Sequence, residues 1–285
     1  MTMMLSRATN WKAKRQIGRS VVFVCLCLLG ASTVYPLLFM ALNSFRSTNA
    51  FEVNPFGLPT SWRLSNFSTL LSTYGVGGAM LHSVIVVVPA DVAATLFSAL
   101  AAFVFTKTPF RGSGALFYAM LLVMLMPGVV VLIPLYVIIA HLGFANSFGP
   151  AILVYAAVSI PYGTYLMRAN FRGIPDSLVE AARVDGATWG QIFRSVIVPV
   201  GRSGIVAVGV LTFLNIWNEL FISIVLLHTA GTQMLTPTLA EIPGRYVTDI
   251  PVEMSGLLLA ALPPVLIYLV AARVFVRGLA AGSLR

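Results

Sequence analysis

Glu180-Ala181-Ala182-Arg183-Val184-Asp185-Gly186-Ala187 holds three charges in eight residues, in a chain where charged residues are only 9% of the total. On both sides the sequence turns apolar, over residues 148–167 before it and 204–227 after it. The stretch reads as the tip of a polar loop between two helices that lie in a non-aqueous solvent. Further runs of spanning length lie at 21–42, 79–105, 114–139 and 255–276, which makes six in all. Hydrophobic residues reach 58% and the mean hydropathy is +0.91, whereas soluble domains carry about 25% charged residues. In a bilayer a spanning segment must satisfy its own backbone. The sequence therefore predicts an all-α, polytopic membrane protein of six transmembrane helices.

The run at 21–42 follows a basic start and mimics a secretory signal. Its 22 residues exceed a cleavable core of about 7 to 15, and they span roughly 33 Å at about 1.5 Å per residue. It reads as an uncleaved first helix. Cys25 and Cys27 inside it read as packing residues. The second run contains Asp91 and the fifth contains Glu219, the two spans with an ionisable interruption.

Orientation follows from the basic residues. Arg7, Lys12, Lys14, Arg15 and Arg19 precede the first run, Lys107 and Arg111 follow the second, Arg168, Arg172, Arg183, Arg194 and Arg202 follow the fourth, and Arg273, Arg277 and Arg285 lie at the C-terminal end. Only Arg46, Arg63 and Arg245, of 18 Lys and Arg, fall in the alternate loops. That bias places both termini in the cytoplasm. The organisation is then a cytoplasmic tail 1–20, a transmembrane domain 21–276 with a cytoplasmic loop 168–202, and a tail 277–285. The net charge of +9 is topological, and no basic, aromatic face suits nucleic acid. His82, His141 and His228 are scattered and give no metal-ligand spacing. No Gly-x-x-x-x-Gly-Lys-Ser/Thr phosphate cradle occurs among the three lysines, so ATP hydrolysis is not expected of this chain. The segment 43–78, with Pro55, Gly57, Pro59 and Gly75, reads as turns without a core.

The loop 168–202 has local structure of its own. Pro175 suits a first helical turn, Ser177-Leu178-Val179-Glu180 matches a capping box, and Asp185-Gly186 is a turn. Thr188-Trp189-Gly190-Gln191 matches a second capping box, then Ile192, Phe193, Val196 and Ile197 share a side before a stop at Pro199. Two short helices meeting at a Gly corner are expected. From spacing alone, an amphipathic element on the membrane surface, or a packed loop, is an equal alternative.

Ile174-Pro175, Glu180-Ala181-Ala182, Asp185-Gly186-Ala187, Phe193 and Pro199 resemble the EAA loop of ABC importer permeases. Val196, Val198 and Ser203 depart from its usual residues. The resemblance extends through Pro36-Leu37-Leu38, Asn43-Ser44-Phe45-Arg46, Ala99 to Phe103, Met126-Pro127, Pro134-Leu135-Tyr136, Leu142-Gly143, Trp217-Asn218-Glu219 and Leu235-Thr236-Pro237. This set is similar to the maltose-type carbohydrate-uptake subgroup, with His82-Ser83 in place of an expected Asn-Ser. The resemblance implies a type I ABC importer permease fold in a bacterial or archaeal inner membrane. It also implies a heterodimer with a second permease, two ATP-binding subunits that hold ATP and Mg, and an extracytoplasmic substrate-binding protein. No cofactor is expected in this chain itself. The short EAA helix would sit in a cleft of the ATPase, with Glu180 as docking contact, Ala181 and Ala182 as the close-approach face, Asp185 and Ala187 flanking, and Gly186 as the corner. An alternative for Glu180 is capping its own helix through Ser177.

Asn215, Asn218 and Glu219 fall at i, i+3 and i+4 with Trp217 beside them, a face suited to sugar hydroxyls and ring stacking. A helix-helix hydrogen-bond cluster is the competing reading, and in the resembled family the partner permease holds most of the sugar. Asp91 has no partner visible in sequence and reads as half of a structural pair. By resemblance the loop around Gly231, Thr232 and Gln233 faces the binding protein. A glycerol-phosphate-like cargo also fits, as do two other classes: a secondary transporter, which would not need a charged two-helix loop, and a purely structural membrane subunit.

Overall fold

The computed structural model describes residues 2–126, 128–242 and 249–282, with side chains described between 19 and 272. Among the described residues there is no strand. Helix α1 runs Thr2–Asn43 and is followed by the short α2 (Thr48–Val53) and α3 (Ser65–Ser72). Next come α4 (Val76–Lys107), α5 (Ser113–Val123), α6 (Gly128–His141) and α7 (Phe148–Arg172). The polar loop contributes α8 (Asp176–Val184) and α9 (Trp189–Ile192), which runs through a π-helical turn (Phe193–Ile197) into α10 (Val198–Trp217). The short α11 (Phe221–Leu226) and α12 (Leu235–Ala240) precede α13 (Ile250–Gly282).

Five segments are long and apolar enough to cross a bilayer: Arg19–Asn43, Val76–Lys107, Phe148–Arg172, Trp189–Trp217 and Ile250–Ala272. The run expected as one helix over 114–139 is instead two, α5 and α6, meeting at 91°, the geometry of a broken span or a re-entrant loop and not of one straight helix. Three successive tightened bonds, Met124 N to Leu121 O, Leu125 N to Leu122 O and Met126 N to Val123 O, wind α5 down. Pro127 lies outside the described residues. The run at 204–227 also divides, because α10 stops at Trp217 and α11 restarts at Phe221. Pro199, expected as a stop, lies at the head of α10, and the preceding π-helical turn makes room for its ring and missing N–H.

The chain forms two compact units, residues 1–69 with 249–258, and 70–248 with 259–285. In the first, Arg46 is buried and its guanidinium donates to Asn43 Oδ1 (2.8 Å), Pro55 O (3.2 Å), Ala50 O (2.5 Å) and Asn54 O (2.7 Å). Asn66 donates to the carbonyls of Ser44 and Arg46, both at 2.8 Å, and Ser255 donates to Ser44 O at 3.0 Å. The segment expected as bare turns is thus organised around a buried cation whose desolvation is offset by carbonyl dipoles. Cys25 and Cys27 do not pack inside the chain: they are exposed, as are residues 19–38 generally. A helix apolar all round requires lipid or another subunit as its solvent.

In the second unit α4, α7 and α10 pack closely because small residues line their contacts. A Cβ on Gly163 of α7 would come 2.9 Å from Ser98 Cβ of α4, and one on Gly201 of α10 would come 2.7 Å from Phe171 Cε1 of α7. At Gly204 a Cβ would overlap the Asn170 side chain. Ser98 Oγ adds a hydrogen bond to Ile160 O at 3.2 Å. Gly163→Val should force α4 and α7 apart and cost about 1–3 kcal/mol, read as a lower melting temperature of the purified protein. An unchanged melt would show that this contact does not set the packing.

Candidate functional site

The helix α8 begins at Asp176 with Pro175 as its cap residue and no side-chain cap bond. The capping box expected at Ser177 and Glu180 does not form, because Ser177 falls inside the first turn rather than at its edge. Glu180 is exposed, so its alternative role of capping through Ser177 is not realised. At the other end the expectation holds. Gly186 has φ +81°, its N–H bonds to Arg183 O and the Ala187 N–H bonds to Ala182 O, both at 3.0 Å. This pair of crossed bonds about a left-handed glycine satisfies the last carbonyls of α8.

Four residues of turn lead into α9, where the second capping box is present. Thr188 N donates to Gln191 Oε1 at 2.7 Å and Gln191 N donates to Thr188 Oγ1 at 3.4 Å. The Arg183 guanidinium lies 4.3 Å from the Trp189 ring centroid, which ties α8 to α9 by a cation–π contact. Beneath them Val179 and Ile192 are buried in one apolar cluster with Phe103 of α4, Met167 and Phe171 of α7, and Val208 of α10. Phe103 meets Phe193 at 5.3 Å and Trp189 at 6.2 Å between centroids. The loop is therefore welded to three spans and is not an amphipathic element lying loose on a surface.

The opposite face of α8 is exposed among the described residues. Leu178, Ala181 and Val184, three residues apart, are exposed, Val184 at 87%. Leu178 and Val184 were not singled out from the sequence. The signal that would find them is the second apolar row of a helix whose first row, Val179 and Ala182, is already spoken for. Asp185, Gly186, Ala187, Gln191, Ile192 and Ser195 are among the residues lining a concavity beside that row. Glu180, Ala181, Asp185 and Gly186 are exposed at one tip, whereas Ala182 and Ala187 are half-buried against the cluster beneath, so the close-approach face expected of Ala181 and Ala182 is divided between the two sides of α8.

The other predicted group is not one helical face. Asn215 and Asn218 donate back to Leu211 O (2.9 Å) and Leu214 O (2.8 Å), whereas Glu219 lies beyond the end of α10. Trp217 is buried, stacked on Phe213 at 5.5 Å, and its Nε1 donates to Ala260 O at 3.1 Å, so its ring is not offered for stacking on a sugar. Glu219 accepts from the N–H groups of Phe221 (2.9 Å) and Ile222 (2.8 Å) and from the Tyr155 hydroxyl (3.1 Å). It caps α11 and ties the break to α7; its partners are dipoles and not a cation. The structural pair expected for Asp91 is not seen: its Oδ1 is buried with no hydrogen-bond partner among the described residues.

Gly231, Thr232 and Gln233 form a tight turn, exposed at Gly231 and half-buried at the other two. Gln233 N donates to Thr229 O at 2.8 Å and Gln233 Nε2 to Glu241 Oε1 at 2.6 Å. His82 Nδ1 is 3.0 Å from the Gln233 carbonyl and Leu235 N donates to Ser83 Oγ at 2.8 Å, so the His82-Ser83 pair pins this turn to α4. Pro243 and Gly244 of the same loop lie outside the described residues.

Because three donors converge on Glu219, Glu219→Gln sets an amide NH2 against at least one of them, and Glu219→Ala leaves all three without their acceptor. Both should lower the melting temperature, with a cost of about 1–3 kcal/mol per orphaned donor and the larger loss for Ala. A Gln variant as heat-stable as the parent would contradict the capping role.

The binding-protein-dependent transport system inner membrane component family matches residues 94–280. A probable ABC transporter permease of Bacillus subtilis is 32% identical over 96% of this chain and 91% of its own length. The diacetylchitobiose uptake system permease of Streptomyces coelicolor is 29% identical over 91% of this chain and 87% of its own. The trehalose transport system permease of Mycobacterium tuberculosis is 27% identical over 88% and 92%. A chain of a bacterial ABC transporter involved in the import of the polysaccharide alginate superposes with a TM-score of 0.76 at 21% identity, covering 90% of this chain and 96% of that one. Since the family match takes in the C-terminal part of α4 from residue 94, all of the welded loop and the spans on either side of it, the chain belongs to the binding-protein-dependent transport system inner membrane components, the permease subunits of ABC importers.

Proposed function

We propose that this chain forms half of the translocation pathway for a sugar or oligosaccharide and couples it to two ATP-binding subunits through α8. The observation that carries the reading is the exposed row Leu178, Ala181 and Val184 on a helix whose other face is locked into the core of three spans. An apolar row of that kind is left out of water by a partner groove, and a groove that closes would move the welded body as a unit. Glu180 and Asp185 flank the row as polar contacts. The second permease, an extracytoplasmic binding protein, ATP and Mg in the ATP-binding subunits, and cytoplasmic termini complete the proposal. Carbohydrate cargo is supported by relatives whose names specify diacetylchitobiose and trehalose. On this reading the turn at Gly231 to Gln233 faces the binding protein, held in place by His82 and Ser83.

Gly186→Val tests the corner, because a β-branched residue at φ +81° costs about 1–2 kcal/mol or more. Reconstituted complexes carrying it should assemble and hydrolyse ATP with little uptake. Normal uptake at parental expression would remove the corner from the mechanism. Deleting Gly231 to Gln233 should leave basal ATPase in place and abolish its stimulation by the binding protein; full stimulation would reduce the turn to a connector.

A further inference from the structure

We infer that Lys107 and Asp176 form a latch that makes α4 follow α8, so that Lys107 is a positioning residue for coupling and not only a topological charge. The inference rests on reading α8 as the docking helix. Lys107 stands in the last turn of α4, and its side chain is only 3% exposed. Its Nζ donates to two acceptors, Ile174 O and Asp176 Oδ1, each at 2.6 Å. Asp176 is the first residue of α8 and its side chain is 76% exposed. The two helix ends also favour these charges, a cation at the C-terminus of α4 and an anion at the N-terminus of α8.

The remaining links between the loop and α4 are apolar, Phe103 against Trp189 and Phe193. Such contacts are non-directional: they hold the loop against α4 but do not by themselves set its position along the helix. The ammonium is different. It is desolvated, and both of its acceptors lie in the segment Ile174–Asp176 that leads into α8. A displacement of α8 that left α4 behind would strip a buried cation of both acceptors, which is far costlier than sliding a ring. Asp176 alone, being exposed, would contribute little as a surface ion pair; its weight comes from the buried partner.

The test uses the purified complex of this chain with its ATP-binding subunits, in a Cys25→Ser, Cys27→Ser background, with spin labels on Ser177→Cys of α8 and Leu100→Cys of α4. Both sites are exposed. The label separation is measured without nucleotide and with ATP plus vanadate. In the parent it should stay constant to within about 2 Å, the scale of helix shifts at interfaces. In Asp176→Asn and in Lys107→Met it should change by more than that on trapping, and Lys107→Arg should restore the parental behaviour. Because Asp176 is exposed, its Asn variant carries the test even where Lys107→Met does not assemble. A separation that stays fixed in Asp176→Asn, or that already changes in the parent, overturns the latch while leaving α8 as the docking helix. Failure of the parent chain to hold its ATP-binding subunits overturns the docking reading and the latch together.

Discussion

The apolar cluster in which Phe103 of α4 and Phe171 of α7 meet Val179 and Ile192 of the loop helices is the contact on which the rest depends. Without it α8 and α9 would be a polar connector, and no motion at the tip would reach the membrane. Two features make the cluster possible. Glycines at 163, 201 and 204 let the three spans approach until side chains from all of them share one core. The left-handed Gly186 then folds α9 back so that Ile192 enters the core beside Val179. With the inner row of α8 spent on this packing, its outer row is left for a partner.

Much of this was legible in the sequence, for definite reasons. The Asp185-Gly186 turn and the Thr188–Gln191 box are local, set by backbone geometry and by donors within a few residues, and both appear as read. The Ser177 box was not, because Pro175 fixes where α8 starts and puts Ser177 two positions inside the cap. The break in the third run and the end of α10 at Trp217 were also hidden, since apolar residues continue across both breaks and hydropathy does not register a change of direction. Leu178 and Val184 escaped because a helix with two apolar rows looks like one well-packed helix until the partner of each row is known.

Polar groups within the apolar spans divide by what meets them. Glu219 is met on every side by donors from its own chain, and Trp217 by Phe213 and the Ala260 carbonyl, so these residues hold the break between α10 and α11 in shape. Asp91, at mid-helix in α4 one turn from Thr95, keeps a buried oxygen without a donor among the described residues. An intramembrane carboxylate of that kind is costly unless something outside the chain completes it. The surface of α1 has the same character, apolar and exposed along residues 19–38.

The claim that α8 presents its outer row to an ATP-binding subunit is tested most directly at Val184, which is 87% exposed in the isolated chain. A cysteine there, in a Cys25→Ser, Cys27→Ser background, is treated with a short thiol cross-linker in the assembled complex carrying cysteines in the ATP-binding subunit. The account predicts an efficient cross-link to that subunit, and protection of the thiol from a bulky polar maleimide only when the subunit is present. A thiol that reacts with the maleimide equally fast with and without the ATP-binding subunit, and forms no cross-link, would contradict it.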